Sequence, residues 1–281
     1  MFRKMLLGLA GAWMLALGSP AMAGPVFLTG HDPDFHASSS QGAKNLLTAG
    51  LNFVTGNTTF SSSEKFLWVQ ARASDLGGIP SGHRDGIVDG LGTLGLVEGI
   101  EFDVANAAAL ASVNFSNYTA IAIASSFGGL LSRAELDGLI ARSADIETFI
   151  NGGGGLFAAA ECFPCGANLL AGSTAPSLYG YLPVTVSSIA PSPPFTVTSF
   201  GISQFGLQSS DLNDPTHNSF GQIGGLNPVD LDTSGQATTL AGDVQVGTGG
   251  FSPVPEPASL ALLTVGLIGI GWTKGRRRNA A

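Results

Sequence analysis

The chain reads as an α/β protein built on an open, mostly parallel sheet with helices on both faces and a single transmembrane helix at its C-terminus. Three observations predict this. Short apolar runs suited to buried strands alternate with stretches of helical spacing through residue 160. Tyr118 to Ala124 is apolar at both parities, as a strand covered on both sides must be. Ala258 to Thr273 is a 16-residue apolar or small segment followed by Lys274, Arg276, Arg277 and Arg278, a length that just crosses a thin bilayer.

The elements follow in order. Val26 to Thr29 is the first strand, ending at Gly30. A helix runs from about Gly42 to Val54, because Leu46, Leu47, Leu51 and Val54 recur at helical spacing. Phe66 to Ala71 is a second strand, Arg84 to Leu96 a helix weakened by glycine, and Ile100 to Val104 a short strand. Beyond Tyr118–Ala124, Ser132 and Glu135 make a capping box. Leu136, Leu139, Ile140, Ile146 and Ile150 then share one side of a helix that Asn151 and four glycines end. Gly155 to Ala160 is the next buried strand. After about Ala175 helical periodicity disappears among Pro191, Pro193 and Pro194, leaving either a β-rich completion or a loop-rich lobe. Thr238 to Gly250 holds one strand at most, and 241–253 reads as a flexible stalk.

Composition narrows the function. Of 281 residues, 11% are charged and 44% apolar, unlike a disordered acidic tail. The 40 glycines show no three-residue period, which excludes collagen. Twelve Lys+Arg against twenty Asp+Glu argue against a nucleic-acid partner.

Both ends read as addresses. Arg3 and Lys4 precede an apolar run, Met5 to Leu17, and Ala21-Met22-Ala23 offers a cleavage site before Gly24, so 1–23 is a secretory signal peptide. At the other end Val254-Pro255-Glu256-Pro257 opens the apolar helix 258–273, and Arg276, Arg277 and Arg278 close it. That order resembles the PEP-CTERM sorting signal over 254–281. The resemblance implies a Gram-negative host, an exosortase-type membrane protease as partner, transient anchoring in the inner membrane through the C-terminal helix, and a cell-surface or matrix destination beside exopolysaccharide. An ordinary tail anchor explains the helix and the arginines but not Pro255-Glu256-Pro257. With both signals removed, 24–253 carries six Lys+Arg against nineteen Asp+Glu, a formal −13 that repels nucleic acid and anionic lipid.

The order Asn114 to Tyr118, apolar strand, Leu131-Ser132-x-x-Glu135, helix, Gly-Gly-Gly-Gly-Leu-Phe is similar to the class I glutamine amidotransferase-like superfamily, ThuA-like members especially. It covers roughly 97–165, within an ectodomain of 24–240. The resemblance implies a flavodoxin-like sheet with a functional elbow at Glu161 or Cys162 and His217 as base. Asn218 stands where the ThuA-like segment has proline, and Ala160 and Pro164 flank the elbow where true amidotransferases have glycine. The expectation is therefore a domain that binds rather than catalyses, with a hydrolase using Glu161 or Cys162 and His217 as the alternative.

Two further clusters bear on chemistry. Cys162-Phe163-Pro164-Cys165 is a C-x-x-C pair that in an exported protein reads as a local disulfide, with a Cys162 nucleophile or redox work as competing readings. His31, Asp32, Asp34 and His36 lie just after the first strand, where ligands bind in parallel sheets, and can hold a divalent metal or simply form an Asx-capped turn. His83 is expected near the same edge. Asp211, Asp214, Asp230 and Asp232 read as solvated turn residues.

Overall fold

The structure is a computed structural model that describes residues 23–58, 60–159, 169–170, 178–182, 184, 186, 188–213, 216–221, 223–247 and 250–253. Among the described residues the strands are β1 (Gly24–Thr29), β2 (Phe66–Val69), β3 (Phe102–Ala105), β4 (Ala120–Ile123), β5 (Gly155–Ala158), β6 (Ser188–Ile189), β7 (Thr196–Val197), β8 (Ser219–Phe220), β9 (Asn227–Leu231), β10 (Ala237–Gly247) and β11 (Gly250–Pro253). The α-helices are α1 (Pro33–His36), α2 (Gln41–Thr55), α3 (Ala107–Leu110), α4 (Arg133–Ala141), α5 (Ser143–Asn151) and α6 (Ser199–Phe205). Met22–Pro253 forms one compact unit.

Alternation along the central strands makes two cores. Val26, Leu28, Leu67, Val69, Ile121, Ile123 and Leu156 face α4 and α5, meeting Leu136, Leu139, Ile146 and Ile150. Phe27, Phe66, Trp68, Ala122 and Phe157 face α2, meeting Leu46, Leu47, Leu51 and Val54. Period-2 strands thus meet period-3.6 helices on both sides. Local capping sets the helix ends. Ser40 caps α2 by accepting from Ala43 N at 3.2 Å, Gly56 ends it at φ 70, and the Ser132–Glu135 capping box starts α4.

The sheet is a mixed α/β sheet with only one parallel block, β3-β2-β4-β5-β1. From β1 onward every pairing is antiparallel, through β10 to β8, β9 and β11. This corrects the mostly parallel, flavodoxin-like expectation, whose strand order is 2-1-3-4-5. Here the first strand takes the far end of the parallel block, because β10 returns along it over Gly24–Thr29.

Other expectations shift too. Within 241–253, read as a stalk, the described residues 241–247 are the second half of β10, hydrogen-bonded to β11 at Gly250–Pro253. Arg84–Leu96 is a π-helical turn at Gly86–Leu91 and a 3₁₀ turn at Gly92–Leu94. The single helix over 132–150 breaks at Arg142, whose guanidinium turns back to Leu110 O at 2.6 Å and Val113 O at 3.1 Å. A helix, α6, forms in the stretch where periodicity seemed lost, capped by Thr198. Among the described residues no helix is long and apolar enough to cross a membrane; the predicted helix 258–273 and residues 1–22 of the predicted signal peptide 1–23 lie outside them.

Candidate functional site

The carboxyl ends of the parallel strands gather the polar groups. Strand order reverses between β2 and β4, which opens a crevice beyond their ends. The turn after β4 fills it: Gly128 N donates to Ser125 Oγ at 2.8 Å, and Gly129 N and Leu131 N both donate to Ser125 O at 3.1 Å. Leu130 sits there at φ 57, a conformation that costs a branched residue about 1–3 kcal/mol and that this packed turn imposes. Asp34 of α1 reaches into the same turn and accepts from Ser125 N at 2.8 Å. It is fully buried, its Oδ1 has no hydrogen-bond partner, and burial pushes its carboxyl up to about 6 despite the Ser125 hydrogen bonds.

The residues after β1 divide between two sides. Gly30 O accepts from His217 N at 3.0 Å and Asn218 N at 3.3 Å, and any side chain at Gly30 would collide with Asn218 O. That close approach makes an antiparallel bridge, His31 opposite Thr216. Successive side chains of an extended segment point to opposite sides. His31 and Thr216 therefore face one way, with His31 Nδ1 2.5 Å from Thr216 Oγ1 and Nε2 2.9 Å from Asp230 Oδ2. Asp32 and His217 face the other.

On that second side Asp32 is the anionic centre. Its Oδ1 lies 3.6 Å from His36 Nε2 and its Oδ2 3.8 Å from His217 Nε2. Burial, and after it the nearby His36, holds the His217 imidazole below the usual histidine range. His217 lies near-parallel to Phe127 at 5.7 Å (16°), and His83 near-parallel to the same ring at 4.8 Å (17°). Arg84 sits over the Phe35 ring at 4.8 Å and donates its backbone N–H to Phe127 O. The edge thus presents flat rings around a buried carboxylate.

The four-residue metal set of His31, Asp32, Asp34 and His36 does not assemble. His31 turns to Asp230 and Thr216, Asp34 turns to Ser125, and only Asp32 and His36 remain near each other. Among the described residues no three of His, Cys, Asp and Glu come together as a metal site. Glu161, Cys162 and Cys165 lie outside the described residues. Asp230 and Asp232 are buried, not solvated: Asp230 is 0% exposed beneath His31. Asp232 accepts from Ser192 N, Ser219 Oγ, Ser234 N and Gln236 N, and these bonds outweigh its burial to hold the carboxyl below its usual range. Phe127, Thr216 and Asp230 were not foreseen as site residues. The signal for Thr216 was its place beside His217, and for Asp230 its apolar neighbours in Val229–Leu231.

A cavity of about 740 Å³ lies at the opposite end, where Pro25, Thr119 and Gly154 sit at the amino ends of β1, β4 and β5. Its Arg142 is engaged with Asp145 and the Phe115 ring, away from the polar groups at the carboxyl ends.

No curated protein and no solved structure matches the chain, so the amidotransferase-like resemblance rests on the order of its sequence elements alone. The family comparison matches residues 253–278 to the PEP-CTERM protein-sorting motif. The chain carries that sorting signal behind a folded α/β domain, which makes it an exported protein processed by an exosortase.

Proposed function

We propose that the exported domain works at the cell surface or in the extracellular matrix as a carbohydrate-binding module, with its ligand lying on the carboxyl edge of the parallel strands. The observation that carries this reading is the set of near-parallel rings of His83, Phe127 and His217. A pyranose offers a flat face of C–H groups to such rings, while Arg84 meets its hydroxyls. The −13 charge of 24–253 favours a neutral exopolysaccharide over an acidic one. The sorting signal supports export, the condition this reading requires.

The test is affinity electrophoresis of the processed protein in gels containing neutral exopolysaccharide. Retardation that Phe127→Ala abolishes supports the reading; equal mobility of the two proteins with and without polysaccharide removes it. A second reading, a hydrolase pairing Glu161 or Cys162 with His217, is favoured by the depressed His217 basicity, since a neutral imidazole can accept a proton.

A further inference from the structure

We propose that Thr216 is the nucleophile of a hydrolytic site for small acyl esters, activated by His31 and Asp230, on the side of the β1 edge facing away from the ring platform. The proposal does not rest on carbohydrate binding, because none of its residues belongs to that platform.

The geometry is a hydroxyl–imidazole–carboxylate chain. Asp230 on β9 is 0% exposed and His31 1% exposed, and Asp230 Oδ2 also receives the hydroxyl of Thr238. A carboxylate only accepts, so the hydrogen in the 2.9 Å contact belongs to His31 Nε2. In the neutral ring that assignment leaves Nδ1 as an acceptor, and the 2.5 Å contact is then Thr216 Oγ1 donating to it. A hydroxyl whose proton already points at an imidazole, itself oriented by a buried carboxylate, is the arrangement nucleophilic catalysis requires.

Only the hydroxyl end of this chain reaches open space. Thr216 is half-buried and lines a cavity of about 630 Å³, walled by Pro191, Pro193, Pro194, Phe195 and Leu212, with Asn213 as its polar member. Phe195 also meets the His31 ring edge-on at 5.0 Å, so the cavity wall braces the imidazole. An apolar pocket with one polar corner suits a short acyl group joined to an alcohol.

The step balances with water alone. Thr216 Oγ1 bonds to the ester carbonyl carbon as its proton passes to His31 Nδ1. The carbon–oxygen bond to the alcohol breaks, and the alcohol leaves with that proton. Water then adds to the acyl-threonine, again through His31, and releases the carboxylic acid and the free Thr216 hydroxyl.

The experiment uses the full chain in detergent with 4-nitrophenyl acetate as probe. The expected result is release of 4-nitrophenolate together with an acetyl adduct on Thr216 in peptides from an acid-quenched sample. Thr216→Val removes both, Thr216→Ser keeps both, and Asp230→Asn slows release by roughly 10²–10⁴-fold. Absence of the adduct from the folded, unsubstituted chain overturns the proposal. So does unchanged release by a Thr216→Val protein that melts at the parent temperature.

Discussion

Gly24 and Pro253 pair with the same residue, Val244, from opposite sides of β10. The described domain therefore begins and ends at neighbouring points of the sheet, on strands that differ in kind. Gly24 starts β1, which is hydrogen-bonded to β5 and β10, whereas Pro253 ends β11, which pairs with β10. A protease needs an extended segment, and freeing β1 breaks the sheet while freeing β11 breaks one short ladder. Signal-peptide removal should precede folding, and tail removal should be possible afterwards. The folded full chain should resist signal peptidase at Ala23–Gly24 until urea is added, while exosortase-containing membranes process the tail without denaturant. Equal cleavage at Ala23–Gly24 in folded and unfolded chains would refute this order.

Asp34 ties stability to pH. Its carboxyl is raised from 3.8 to about 6 by burial. Between those values the folded chain holds a proton that the unfolded chain has released, so this contribution is full below the lower value. It is lost as pH rises through the higher one, by about 3 kcal/mol in all. Asp34→Asn should flatten that slope: its urea midpoint should change less than the parent's between about pH 4 and pH 7.5. An unaltered slope in the variant would show that Asp34 does not titrate in this window.

Gly129 admits no side chain. An added methyl would overlap Ala124 Cβ and Asp34 Oδ2 beneath the β4 turn. Gly129→Ala should lower stability by about 1–3 kcal/mol and weaken polysaccharide retardation by displacing Phe127. Thermal melting and affinity electrophoresis of the same sample check both effects.

Arg142 is a structural residue at the break between α4 and α5. Its fork donates to two carbonyls, Leu110 O and Val113 O, and its plane lies 4.4 Å from the centre of the Phe115 ring. Lysine supplies neither the fork nor the plane, so Arg142→Lys should cost about 1–3 kcal/mol in chemical denaturation. A loss no larger than that of an exposed lysine substitution would count against this role.

Where local physics dominates, the sequence was readable. The Ser132–Glu135 box marks a helix start in the structure as it does in the chain, and the uniform apolarity of Tyr118–Ala124 matches a strand with helices on both faces. Long-range pairing was not readable. β10 is rich in Gly and Thr, and only its lie between β1 and β9 makes Thr238 and Thr239 buried. The cluster His31–His36 looked like one site because its residues are close in sequence. The extended bridge at His31 sends neighbouring side chains apart, and Asp230, 199 positions away, becomes the partner of His31. Sequence proximity carries no information about which side of a bridge a residue faces.

β10 closes the open flank of β1 over its whole length. A chain ended at residue 240 would strip cover from Gly24 to Phe27 and leave a row of unsatisfied amides and carbonyls beside the apolar Val26-Phe27-Leu28. Such a bare flank recruits strands from other molecules, so that truncated polypeptide should accumulate as insoluble aggregates while one ended at residue 253 stays dispersed.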